Sequence, residues 1–164
     1  MSSSDPGKLP YRRGVGVMLL NRDNLAWIGE RHDMPGAWQM PQGGIHKGET
    51  PREAALRELT EETGVSSVVF LAESADWHHY DLPTKLIGRL WGGRYRGQQQ
   101  KWFACRFTGE DREVDLDVQG QAEFFRWRWI KPEMLPSLIV PFKCALYKRI
   151  LHEFSETIQN RPHL

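Results

Sequence analysis

The chain is predicted to fold as one α+β domain, richer in strands than in helices. Three observations carry that expectation. Its 164 residues suit a single domain, and a chain near 150 residues buries roughly 68–70% of its unfolded surface, enough for a full core. Hydrophobic residues make up 40% and charged residues 26%, a globular rather than a disordered composition. Apolar runs of strand length outnumber stretches with helical spacing, and no internal repeat is present.

Residues 1–10 are polar, carry two prolines and read as a loose lead-in. The domain is expected over 11–156, with a tail over 157–164. The run GVGVMLL (14–20) predicts a buried strand, NRDN a turn, and LAWIGE (25–30) a returning strand, so the first unit is a hairpin. Residues 31–49 form a loop rich in glycine and proline. It is long for a connector, and long ordered loops tend to be functional.

Residues 51–63 predict the best-specified helix. Thr50 is the N-cap, Pro51 takes the first helical position, Glu53 completes a Thr-x-x-Glu capping box and Gly64 stops the helix. Glu53 and Arg57 make a favourable i,i+4 pair. At about 100° per residue, Ala55, Leu56, Leu59 and Thr63 fall on a core-facing side. Glu58, Glu61 and Glu62 share the other side with Ala54.

Beyond the helix, SVVFLAE (67–73) predicts a strand, and ADWHHYDLP a strand and turn. The alternating runs KWFACRF (101–107) and FFRWRWI (124–130) predict half-buried strands with one polar face. A last helix is expected over about 142–154, with Leu146, Ile150, Leu151 and Phe154 at helical spacing.

Composition narrows function. With 22 Lys+Arg against 21 Asp+Glu, net charge is +1, which excludes a strongly basic nucleic-acid binder and gives no reason to expect DNA as a partner. No run approaches the roughly 20 apolar residues of a membrane span, and the N-terminus lacks the apolar core of a secretory signal. Two cysteines make neither a disulfide framework nor a four-thiolate zinc site. Both are expected to behave as small buried hydrophobes, and the cytoplasm is the expected location. His78 and His79 are adjacent, so in a strand they face opposite ways and form no two-ligand site. His46 is expected at the solvent beside the glutamates.

Three glutamates on one helix side repel one another, and hard divalent cations reverse the sign of that interaction because they take oxygen ligands. The stretch GGIHKGETPREAALRELTEETGV reads Gly43, Glu49, Arg57, Glu58, Leu59, Glu61, Glu62, Gly64 and Val65 in the pattern G-x5-E-x7-R-E-U-x-E-E-x-G-U, U being aliphatic. It resembles the Nudix family at every position. That resemblance implies an α/β/α sandwich around a mixed sheet and hydrolysis of a nucleoside diphosphate linked to another group. It also implies Mg²⁺ or Mn²⁺, two or more ions, held by Glu58, Glu61, Glu62 and the Gly43 carbonyl. Glu61 is expected as the base that activates water, with Glu58 and Arg57 in the catalytic set, Arg57 orienting a glutamate and Glu49 supporting them.

Similarity extends over about 11–154: YRRGVGVML, AWQMPQGG, WHHYDLP, GQQQKWF, AEFFRWRWI and FKCALYKRILHEF resemble the bacterial RNA pyrophosphohydrolase and dinucleoside polyphosphate hydrolase group. This implies Glu123 as a further metal ligand, Arg12 and Lys143 on phosphate, Phe142 stacking a base and Tyr80 lining the nucleotide pocket. Trp38 reads as packing. Residues 84–101 hold five basic residues and no acid, with Trp91 and Tyr95 among them, which suits a polyphosphate or an unpaired RNA end and equally a solvated loop. The expected substrate is 5′-triphosphorylated RNA. A dinucleoside polyphosphate is the alternative, and a catalytically silent binding module ranks third because all box glutamates are present.

Overall fold

The computed structural model describes residues 6–160. The outer parts of the expected lead-in and tail, 1–5 and 161–164, lie outside the described residues. Strands β1 (Tyr11–Leu20) and β2 (Ala26–Arg31) form the expected hairpin, closed by Leu20 opposite Ala26. Asn21 builds its turn, Oδ1 accepting from the amides of Asp23 and Leu25 at 2.9 and 3.0 Å.

The segment 31–49 is more ordered than a loop. β3 (Trp38–Gln39) pairs with β2, and β4 (Gln42–Gly44) with β1. Helix α1 (Pro51–Thr63) follows with both expected ends: the Thr50 hydroxyl accepts from the Glu53 amide at 3.2 Å, and Gly64 closes the helix at φ 77. Then come β5 (Val68–Glu73), β6 (His78–Asp81), the short α2 (Thr84–Ile87), β7 (Gly97–Phe107), β8 (Phe124–Ile130) and α3 (Leu135–Leu138). Helices α4 (Cys144–Glu153) and α5 (Ser155–Gln159) end the described chain. The expected helix over 142–154 therefore starts late, because Pro141–Lys143 form a tighter 3₁₀ turn before it. Helix α5 runs across the 156/157 boundary of the expected tail.

All strands join one mixed sheet, in the order β3-β2-β1-β7-β5, with β4 on β1, β6 on β7 and β8 on β2. β1 and β7 run parallel from Tyr11–Gly97 to Leu20–Arg106, and the remaining pairings are antiparallel. Apolar cores cover both faces. Met18, Leu20, Trp102 and Ala104 pack with Leu146, Tyr147 and Ile150 of α4 on one side. Val15, Val17, Leu19, Phe103 and Cys105 pack with Ala54, Ala55 and Leu59 of α1 on the other.

That sandwich corrects two expectations. KWFACRF is not half-buried: Trp102, Phe103, Ala104 and Cys105 are all buried, since helices cover both faces of β7. On α1, Leu56 is exposed and Ala54 buried, so the helix meets protein along a wider arc than the wheel allows. Cys105 is buried as expected, its thiol pushed up to about 12 by desolvation, whereas Cys144 is half-buried. Among the described residues no helix is long and apolar enough to cross a membrane.

Gly16 on β1 is a packing requirement. A Cβ there would lie 2.3 Å from the Trp102 ring, whose side chain is fully buried. Gly16→Ala is expected to destabilise the fold by about 1–3 kcal/mol, the usual cost of overpacking, measured by urea unfolding. An unchanged midpoint would show that Trp102 can move.

Candidate functional site

The α1 N-terminus is set by its cap, and this places one face of the helix against β4. Arg57 organises that face. Its Nε and Nη2 donate to Glu49 at 2.6 and 3.0 Å, Nη2 also to the Gly44 carbonyl at 2.7 Å, and Nη1 to Glu58 and Glu61 at 2.9 and 3.2 Å. The expected Glu53–Arg57 pair is not what forms: Glu53 is spent on the cap, and Glu49 takes the guanidinium instead. Bidentate pairing of this kind is strong. The guanidinium beside Glu49 and the His46 amide hold its carboxyl down at about 2.

The glutamates behave oppositely. Burial pushes the Glu58 carboxyl up, against the pull of Arg57. Glu62 is raised well above the usual range, first by burial of its carboxyl and then by the neighbouring charges of Glu58 and Glu123. Its Oε2 accepts from the Gln42 amide at 3.2 Å. Glu61 is the most accessible of the three, its side chain 36% exposed in Arg57's ion cluster.

A cavity of about 320 Å³ opens beside this face. Glu58, Glu62, Gly43 and Gly44 contribute one part of its lining. Arg12, Tyr80, Glu123, Phe142 and Lys143 also line it, so residues from β1, β6, the turn before β8 and the turn before α4 converge with the helix. Glu61, Glu49 and Arg57 are not among the lining residues. Glu123 is brought in because its carbonyl accepts from the His32 amide at 3.0 Å, tying the turn to the end of β2.

The cationic and aromatic groups are held firmly. Lys143 is buried, and desolvation together with the Arg31 charge lowers its amine to about 8, against Glu123 and Glu62. Its Nζ stands 5.2 Å from the Tyr80 ring centroid, and Tyr80 lies 5.9 Å from Phe142. The Tyr80 hydroxyl accepts from Gln98 Nε2 at 2.8 Å, and burial pushes it up to about 12. Arg12 Nη1 donates to Gln98 Oε1 at 3.3 Å.

Among the described residues, no three His, Cys, Asp or Glu side chains are gathered as a ready metal-ligand set. Arg57 draws Glu58 and Glu61 aside while Glu62 turns toward Gln42. The donor chemistry nevertheless fits a hard divalent cation: the charges of Glu58, Glu123 and Glu61 all raise Glu62, which has no ion-pair partner among the described residues, and carboxylate oxygen is what such ions take. Gln39 adds a buried Oε1 on the cavity wall with no hydrogen-bond partner.

A profile of the Nudix domain matches residues 10–150. The chain belongs to the Nudix family. A protein named RNA pyrophosphohydrolase from Cereibacter sphaeroides is 55% identical over 163 residues, covering 98% of this chain and 96% of its own. One of the same name from Novosphingobium aromaticivorans is 56% identical over 154 residues, covering 92% and 96%. The solved E. coli dihydroneopterin triphosphate pyrophosphohydrolase superposes with a TM-score of 0.67 at 19% identity, covering 87% of this chain and 99% of its own. It shares the mixed sheet between helices.

Several residues of the Nudix cavity escaped sequence reasoning: Arg31, Gln39, Gln42, Leu90 and Gln98. A signal existed for Gln98. Strand β7 starts at Gly97, four residues before the apolar run, and Gln98 and Gln100 continue the period-two phase of Trp102 and Ala104. Both glutamines are buried. Elsewhere, His78 bonds Glu153 at 2.7 Å and His79 packs on Tyr11, with ring centroids 5.2 Å apart, so the two rings meet different neighbours. Trp38 is buried packing.

Proposed function

We propose that the chain removes pyrophosphate from the 5′ end of triphosphorylated RNA, leaving a 5′-monophosphate end, in the cytoplasm. The observation that carries this is the convergence, in one cavity, of recessed carboxylates, three cations and three aromatic rings, in a chain more than half identical to proteins named RNA pyrophosphohydrolase. Arg12, Arg31 and Lys143 supply positive charge for a polyphosphate, and Tyr80 and Phe142 supply surface for a base. Glu58, Glu61, Glu62, Glu123 and the Gly43 carbonyl would hold Mg²⁺ or Mn²⁺, two or more ions. Bound there, these ions offset phosphate charge and lower the pKa of a bound water.

Glu61 is the proposed base. Its exposed carboxylate beside Arg57, on the helix face that carries Glu58 and Glu62, supports this reading, in which it takes a proton from water as the oxygen attacks phosphorus. The anhydride bond to the leaving pyrophosphate then breaks, and the cationic side chains balance its charge. Glu49 fixes Arg57 through two bonds, and Arg57 fixes Glu58 and Glu61. Retention of this whole assembly argues against a silent binding module.

The test compares turnover of 5′-triphosphorylated RNA and diadenosine tetraphosphate with Mg²⁺ present. RNA is expected to be the faster substrate, and Glu61→Gln to cut its turnover by about 10²–10⁴-fold. Faster cleavage of the dinucleotide would make the chain a dinucleoside polyphosphate hydrolase. Near-normal activity of the variant would remove Glu61 from the chemistry.

A further inference from the structure

The acid-free segment after β6 forms a strap over the cavity. It is fastened at its base, where the Leu82 amide donates to the Arg96 carbonyl at 2.8 Å and the Arg96 amide to Pro10 at 3.0 Å. Between these anchors the strap lays Leu90 and Trp91 on the cavity wall. Its backbone is unusual there. Trp91, Gly92 and Gly93 adopt left-handed φ values of 51, 65 and 72° in succession. Glycine takes that region freely, whereas a bulky aromatic residue does so at a cost. A Cβ on Gly92 would meet only the Arg94 side chain at 3.7 Å. Gly92 therefore serves chain direction and not close packing.

The indole is also braced from the phosphate side. The Arg12 guanidinium lies 5.2 Å from its ring centroid, and the same group would meet a Cβ on Gly44 at 2.4 Å. Arg12 thus touches the strap and the glycine loop that leads into α1. Tyr95 meets the indole edge-on, with centroids 6.2 Å apart. Backbone strain that turns an aromatic ring onto a cavity lined by cations persists where the ring is used.

Resting on the RNA reading above, the geometry points to Trp91 as a substrate-binding residue, its ring stacking on a nucleobase of the unpaired 5′ end while Arg12 holds the adjoining phosphates. Tyr80 and Phe142 supply aromatic surface in the same cavity, and Trp91 adds a separate platform carried by a separate segment. Stacking on such platforms tolerates any base, because every base has a π-face.

Trp91 also packs partly against the core, so the test must separate stacking from packing. The substrates are a short 5′-triphosphorylated RNA and three copies, each abasic at the first, second or third nucleotide. The proteins are wild type, Trp91→Leu, which keeps apolar bulk, and Trp91→Phe, which keeps a ring. Trp91→Leu is expected to lower kcat/KM on intact RNA about tenfold, mainly through KM, with Trp91→Phe recovering most of the loss. Wild type is expected to lose about tenfold on one abasic RNA, a penalty absent in Trp91→Leu. Equal abasic penalties in wild type and Trp91→Leu at every position would overturn the stacking role while leaving the RNA reading intact. No hydrolysis of intact RNA by wild type would overturn the RNA reading, and this proposal with it.

Discussion

Glu62→Gln is expected to make the chelator-treated protein more stable and to remove most of the activity measured with Mg²⁺ present. Without a divalent ion, the Glu62 carboxyl is buried near Glu58 and Glu123, with one amide hydrogen bond to offset the burial. A neutral amide of the same shape relieves that repulsion. The gain expected for a buried, poorly compensated charge is about 1–3 kcal/mol, or on the order of 2–4 °C of melting temperature per kcal/mol in a chain of this size. If Glu62 holds metal as proposed, turnover with Mg²⁺ should fall by orders of magnitude. Adding Mg²⁺ should then raise the melting temperature of wild type more than that of the variant.

The pH dependence has a definite sign. A carboxyl raised in the folded state binds its proton more tightly there than in the unfolded chain. The stability of the metal-free protein is therefore highest at the acid end of this window, and falls as pH rises from about 4.5 through the raised value of Glu62. Glu49 acts oppositely: its contribution is present above about 4.5 and is lost as pH falls toward about 2. Glu62→Gln should flatten the first slope, leaving the smaller part that belongs to the raised Glu58, and leave the second unchanged. Melting curves in EDTA across this range decide the matter, and a variant less stable than wild type at neutral pH would sink the account.

The second large effect belongs to Gly43→Ala. A Cβ at Gly43 would lie 2.0 Å from the Glu58 carboxyl carbon and 2.3 Å from each of its oxygens. The methyl group and the carboxylate cannot share that space, so Glu58 must turn away from the cavity. Displacing a catalytic group by about 1 Å can cost 10²-fold in rate, and a loss of about that size is expected here. The clashing atoms are the far end of the flexible Glu58 side chain, so stability should fall by about 1 kcal/mol, the low end of the cost of overpacking. Circular dichroism melting and kcat together check this. Full activity in the variant would show that Glu58 is free to shift.

Local chemistry was legible in the sequence. The cap of α1, the glycine that ends it and the spacing of Arg57, Glu58, Glu61 and Glu62 all lie within about four helical turns. Glu123, Phe142 and Lys143 came only from resemblance, because no local pattern ties them to that helix. Arg31, Gln39 and Gln98 were missed for a related reason: they reach the cavity through strand pairings, and pairing partners leave no mark at short range. The exposure of Leu56 and burial of Ala54 were misread because the wheel assumes one covered side. Here the sheet meets one side of α1 and β4 approaches another. The strap was visible only as a charge bias, since its meaning lies in where Trp91 points.

The parallel union of β1 and β7 has a consequence for how the protein is made. Arg12 and Gln98 touch across 86 positions of chain, and such distant partners slow folding because the intervening loop must close first. A ribosome that has released β1, β2 and the capped helix has produced Glu58, Glu61 and Glu62 but no cavity. Arg12 waits for Gln98, and Lys143 arrives later still. The cavity is thus incomplete in the nascent chain until the segment that carries Lys143 has emerged.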